Sequence, residues 1–212
     1  MSAVDLWEAL AEERRGIADL LEGLTPAQWR VQTLCPAWDV QGMAAHLLTP
    51  ATFSTREMVT TLVRTRADLD RVSVEMASRR AVHPPETLVA LLREHAAART
   101  APPVVGVLGP YTDALVHVQD IVIPLGLTDH RPAERWRPTL DFLLSWRARV
   151  GFLPRAAPAL RYVATDLDWS HGDGPVVEGP GAALGLALMR RTPRLGDLAG
   201  PGAETLRAWA TA

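Results

Sequence analysis

The chain has 212 residues, 48% of them hydrophobic and 22% charged, which suits one large domain or a domain with a small appendage. A net charge of −2 argues against a nucleic-acid or anionic-membrane partner, and no apolar run reaches the roughly 18 residues of a membrane span. The single cysteine, Cys35, excludes an intrachain disulfide and a cysteine-based zinc site. All 22 basic residues are arginine, which with abundant Ala and Pro indicates a GC-rich bacterial genome. The start, Ser2-Ala-Val-Asp5-Leu6-Trp7-Glu8, is amphipathic and acidic, unlike a secretory leader, so a cytoplasmic protein is expected.

Residues 3–23 carry Leu6, Leu10, Ile17, Leu20 and Leu21 at helical spacing, with Glu12, Glu13, Arg14 and Arg15 as the expected solvated face. Thr25-Pro26-Ala27-Gln28 has the form of a capping box opening a short helix. Thr33 to Trp38 is a loop, Asp39 caps a helix running to about Leu48, and Pro50 breaks or restarts the pattern. Ala51 to Arg80 is one long amphipathic segment with Met58, Leu62, Leu69, Val72 and Met76 on one side. Arg64, Arg66, Arg71, Arg79 and Arg80 are expected on its wet side. Helices are predicted over 86–99 and 132–150, with a Gly/Pro-rich loop at 101–110 and a helix between them that Pro124 and Gly126 stop. Composition then shifts. A strand is predicted over 159–169, a turn at His171-Gly-Asp-Gly-Pro175, a returning strand at 176–178, and helices over 181–191 and 202–210. The expected layout is mainly α: a helical bundle over 1–150, then a small α/β domain over 151–212 that is marginal alone at about 60 residues.

The chemistry concentrates in Asp113-Ala-Leu-Val-His117-Val-Gln-Asp120. On a helix these three polar side chains fall within about 60° of one another, in a stretch apolar on nearly every side. Such a helix is usually buried, and a buried carboxylate or imidazole needs a partner or a metal. His46, in Gly42-Met-Ala-Ala-His46-Leu-Leu48, has a similar setting. Two imidazoles and a carboxylate form a standard catalytic zinc set with a fourth position open. The plainer alternative is a core His117 paired with Asp113 or Asp120, and a His46 bonded to a backbone carbonyl. Asp-x-x-x-His alone does not decide between them. His83, His95 and His130 read as surface residues and His171 as a turn residue.

Three stretches resemble the mycothiol-dependent maleylpyruvate isomerase family. Cys35-Pro-Ala-Trp38-Asp39-Val40 through Ala45-His46-Leu47 is similar to its C-P-x-W-x-V-x-x-x-x-A-H-L segment. Asp113 through Ile121, followed by Pro124-Leu-Gly126, is similar to its second metal segment. Ala164 to Trp169, Gly172-Asp-Gly-Pro175 and Glu178 to Leu188 are similar to its C-terminal domain. The resemblance spans almost the whole chain. It implies a DinB-like four-helix bundle, a small α/β C-terminal domain, and a divalent metal, usually zinc, held by His46, Asp113 and His117. It also implies mycothiol as thiol cofactor, a small-molecule electrophile as substrate, and an actinobacterial source. The characterised isomerase has Glu where this chain has Asp113, shorter by one methylene.

The activity so implied is addition of a thiol to an activated double bond with cis–trans isomerisation, or S-transfer where the electrophile carries a leaving group. The substrate's acid groups would need cations, for which Arg56, Arg64 and Arg161 are candidates. Asp120 either orients a ligand or caps a neighbouring helix, and Cys35 reads as structural. Two other functions remain open on the residues: a non-catalytic ligand-binding or interaction bundle, and a metal-dependent hydrolase.

Overall fold

A computed structural model describes residues 3–102, 104–150, 152–153 and 155–212. The start at Ser2, Pro103 of the expected loop and the domain boundary at Gly151 lie outside the described residues. The chain forms two compact units, Met1–Thr128 and Asp129–Ala212.

The first unit is helical: α1 (Ala3–Glu22), α2 (Val40–Thr52), α3 (Thr55–Arg64), α4 (Leu69–Arg80), α5 (Pro85–Glu94) and α6 (Leu108–Leu125). Four positions make the bundle. α1 packs on α5 and α6, and α2 packs on α4, α5 and α6, so α4 and α5 act as one broken helix with His83-Pro84-Pro85 at the break. Leu10, Ile17, Leu21, Met43, Leu48, Met76, Leu88, Leu92 and Leu115 fill its core. The capping box forms: Gln28 Oε1 accepts from the Thr25 amide at 2.9 Å, although only the 3-10 turn Gln28–Arg30 follows.

Three expectations for this unit are corrected. Pro50 does not end α2, which closes one turn later through the Phe53 amide on the Thr49 carbonyl. The segment 51–80 is two helices rather than one. Arg66 and Ala67 take φ of +56° and +59°, and the Ala67 amide reaches back to the Leu62 carbonyl at 2.8 Å, a Schellman-type stop made without glycine. Arg80 is buried rather than wet: its Nη1 and Nη2 grip Glu57 at 2.9 and 3.0 Å, and its Nε donates to Thr52 Oγ1. Those bonds hold the Glu57 carboxyl below its ordinary range.

The second unit comprises α7 (Trp136–Leu143), β1 (Arg161–Ala164), β2 (Ser170–His171), β3 (Val176–Gly179), α8 (Gly181–Leu188) and α9 (Ala203–Thr211). The helix expected over 132–150 is only α7, flanked by 3-10 turns, and it packs on α8. The sheet order is β2-β1-β3. His171 belongs to β2, pairing antiparallel with Tyr162, and β3 runs parallel to β1 instead of returning as a hairpin. Gly172 makes the crossing possible, since its φ is +79° and a Cβ there would sit 2.4 Å from the Leu160 carbonyl oxygen. The mainly helical architecture with a small sheet in the second unit matches the expected fold class.

α8 is buried along its whole length, and Gly185 lets Trp136 lie against it. A Cβ at Gly185 would meet Trp136 Cζ3 at 2.4 Å, and the indole is buried with little room to give. Gly185→Ala is therefore expected to destabilise the protein by about 1–3 kcal/mol despite alanine's better helix propensity. A thermal melt with an unchanged midpoint would contradict this packing.

Candidate metal centre

The first half of the site is built by the loop before α2. Asp39 caps that helix, its Oδ1 accepting from the Gly42 amide at 2.8 Å, as the sequence predicts. Ahead of it the loop is stitched to itself. The Trp38 carbonyl accepts from Thr33 Oγ1 and Gln32 Nε2, each at 2.7 Å, and the Cys35 carbonyl accepts from the same two side chains. Trp38 is thereby turned back over α2. It rests on Gly42, where a Cβ would meet its Cδ1 at 3.0 Å, and stacks on His46 one turn later with ring centroids 4.3 Å apart and planes 19° from parallel.

The second half is α6. Asp120 is fully buried, and its Oδ2 lies 2.8 Å from His117 Nδ1. Its backbone has a second task. Pro124 has no N–H to offer the carbonyl four residues back, and the Leu34 amide fills that place at 3.1 Å from the Asp120 oxygen. One proline inside α6 thus pins the Trp38 loop to the helix that carries His117.

His46, Asp113 and His117 converge, with one ligand atom of each within 4.8 Å of the others. The imidazoles meet edge to face, centroids 4.8 Å apart. Both are oriented from behind: His117 Nδ1 by Asp120, and His46 Nδ1 by Ser73 Oγ of α4 at 3.1 Å. Each Nε2 is left facing Asp113, at 4.0 Å from His46 and 3.8 Å from His117. Neither separation is a hydrogen bond. Ligand atoms around one tetrahedral ion bonded at about 2.1 Å lie roughly 3.4 Å apart, so the set is spaced for a cation and needs only small adjustments to hold one. The chemistry of the donors also fits: two imidazoles each hydrogen bonded through Nδ1, His117 to an accepting carboxylate and His46 to a hydroxyl, plus one carboxylate. The Asp113 side chain is 25% exposed against 12% and 8% for the histidines, which opens the carboxylate side of the set to incoming molecules.

The structure thus brings together the three residues singled out as ligands and places Asp120 behind His117. Neither Arg56 nor Arg64 is among the residues that line the cleft at the ligand set. Arg56 lies on the exposed side of α3, Arg64 is engaged by Glu75, and Arg161 is an exposed residue of the second unit. Two participants were missed. Ser73 looks like any polar residue of an amphipathic helix, and only the tertiary packing of α4 on α2 reveals it. Arg14, expected in water beside Glu13, is 3% exposed and lines a cleft with His46 and Asp113. Its signal was available: position 14 is four residues after Leu10 and three before Ile17, inside the apolar stripe of α1.

Residues 10–103 match the family model of the mycothiol maleylpyruvate isomerase N-terminal domain, a span that includes α2 and His46 and ends before α6. Among solved structures, the crystal structure of the mycothiol-dependent maleylpyruvate isomerase is similar over 96% of this chain and 94% of that one, with a TM-score of 0.63 and 13% identity. A histidine-to-alanine mutant of the mycothiol-dependent maleylpyruvate isomerase gives 0.62 and 12% over the same shares. At such identities the likeness shows a common fold. No curated protein matches the sequence significantly. Among the described residues, no helix is long and apolar enough to cross a membrane.

Proposed function

We propose that this chain, whose residues 10–103 match the mycothiol maleylpyruvate isomerase N-terminal domain, belongs to that family and is a metal-dependent enzyme that turns the thiol of mycothiol on a small electrophile. The observation that carries this reading is the convergence of His46, Asp113 and His117 on one point, with each imidazole Nδ1 already hydrogen bonded. A divalent ion held there, zinc by the family's habit, would lower the pKa of a bound thiol and keep it as thiolate near neutral pH.

The protein's own residues supply orientation. Asp120 and Ser73 hold the rings of His117 and His46 by Nδ1, so that Nε2 of each would be free for the ion, and Asp113 would offset part of its charge. Trp38 covers one face of His46, keeping water from that side and leaving the Asp113 side for reactants. The ligand set contains no cysteine, so the nucleophilic sulfur comes from the cofactor.

Attack of the sulfur on an electron-poor cis double bond forms a C–S bond, while the π pair moves to the conjugated carbonyl oxygen. Rotation about the resulting single bond and expulsion of the sulfur return the trans alkene and the free thiol. With a leaving group on the electrophile, the same attack ends in S-transfer.

The test is turnover of maleylpyruvate to its trans isomer, and of monobromobimane to its thioether, with and without mycothiol. Saturable dependence on mycothiol in at least one assay is expected. Hydrolysis of simple esters at a rate indifferent to the thiol would instead mark a metal-dependent hydrolase and overturn the reading.

A further inference from the structure

The first unit buries a cation that the three metal ligands do not use. Arg14 Nη1 donates to the carbonyls of Ala96 and Ala98 at 3.1 and 2.7 Å, just beyond α5. Both acceptors are neutral. Its Nη2 is enclosed and has no hydrogen-bond partner among the described residues. Burying a guanidinium without a countercharge is costly, and so is leaving one of its donor arms unpaired. Burial pushes its pKa down only to about 10, so the charge persists at neutral pH.

The position of this cation suggests its use. Arg14 lines the same cleft as His46 and Asp113, with Leu10, Ile17 and Pro50 as apolar walls. With a divalent ion at the ligand set, the carboxylates of Asp113 and Asp120 balance the ion, and the charge of Arg14 is left over. An anion entering the cleft would neutralise it and satisfy Nη2 together. As it stands the cleft has room for about one water molecule, some 10 Å³, so an anion reaches Nη2 only as the side chains around it give way.

We propose that Arg14 is the specificity residue of the site, its Nη2 arm holding a carboxylate of the electrophilic substrate while the rest of that molecule faces the metal ligands. The guanidinium offers paired N–H groups to two carboxylate oxygens, a match that a lysine ammonium does not reproduce. The inference deepens the function proposed above and rests on it for the identity of the reaction, but the anion subsite can be tested by itself.

The experiment is calorimetric titration of zinc-reconstituted protein with maleate and, separately, inorganic phosphate, with zinc content measured on the same samples. Wild type is compared with Arg14→Lys and Arg14→Met. Lysine keeps the charge and a donor for the Ala96 and Ala98 carbonyls but lacks the second arm, so it decides the matter should the methionine variant not fold. Maleate is expected to bind wild type and to bind both variants at least tenfold more weakly, with zinc content unchanged. Equal maleate affinity in Arg14→Lys, no maleate binding by wild type, or phosphate binding as tight as maleate would each overturn the proposal. Absence of zinc with Arg14-dependent maleate binding intact would sink the metal reading and leave the subsite standing.

Discussion

His117→Ala is expected to lower zinc affinity by more than the roughly 10–100-fold that loss of a ligand's outer hydrogen-bond partner costs, so that protein purified without a metal-affinity tag loses its metal. Nothing else among the described residues stands ready to replace the lost nitrogen, because the only metal-competent group of described residues is His46, Asp113 and His117. The loss should be selective. α6 is held by apolar neighbours on nearly every side, and Gly126, at φ +64°, ends it with amide bonds that do not involve His117. Far-UV circular dichroism should therefore stay near that of wild type, with a lowered melting midpoint from the cavity left by the ring. Stoichiometric zinc in the folded variant would remove His117 from the ligand set.

Asp120 gives the second large effect without touching the metal. Its carboxylate receives His117 Nδ1 at 2.8 Å in a fully buried position, which fixes both the tautomer and the plane of the ring. Asp120→Leu keeps most of the volume and removes the acceptor. His117 is then free to turn or to move its proton to Nε2, and zinc affinity is expected to fall about 10–100-fold. Asp120→Asn retains a carbonyl oxygen that can accept from Nδ1–H and should fall in between. The graded order, aspartate above asparagine above leucine, separates orientation from simple packing: if the leucine variant bound zinc as tightly as wild type, the role assigned to Asp120 would be wrong. The backbone bond from the Leu34 amide survives in all three, so the loop that seats Trp38 should not move.

Much of this site was readable in the sequence because its signals are local. An apolar helix with Asp113, His117 and Asp120 on one side announces a buried polar cluster, and Asp39 ahead of Gly42 announces the start of the helix carrying His46. What escaped depended on partners distant in the chain or on rules that admit exceptions. The break between α3 and α4 was hidden because Arg66 and Ala67 occupy backbone conformations where glycine or asparagine is the usual signal. The parallel pairing of β3 with β1 was hidden because two short apolar runs around a Gly-rich turn fit a hairpin equally well. Charge argues for water at Arg14 and Arg80, and their positions in the fold override it. In the fold, Arg80 meets a carboxylate on another helix, whereas Arg14 meets two backbone carbonyls.

The prolines act through the amides they lack. Pro124 leaves the Asp120 carbonyl for the Leu34 amide, and Pro50 withholds an amide from the carbonyl of His46 without stopping α2. Residues read in the sequence as helix breakers thus lie one turn after two of the residues that shape the site, and one of them ties the Trp38 loop in place.

Whether His46, Asp113 and His117 hold one divalent ion is tested most directly by the metal-to-protein ratio of wild-type protein purified without an affinity tag and in the absence of chelators. About one zinc or comparable divalent ion per chain is expected. A protein that carries no metal, and takes up none on reconstitution with added zinc, would contradict the account and leave the cluster as a hydrogen-bonded core.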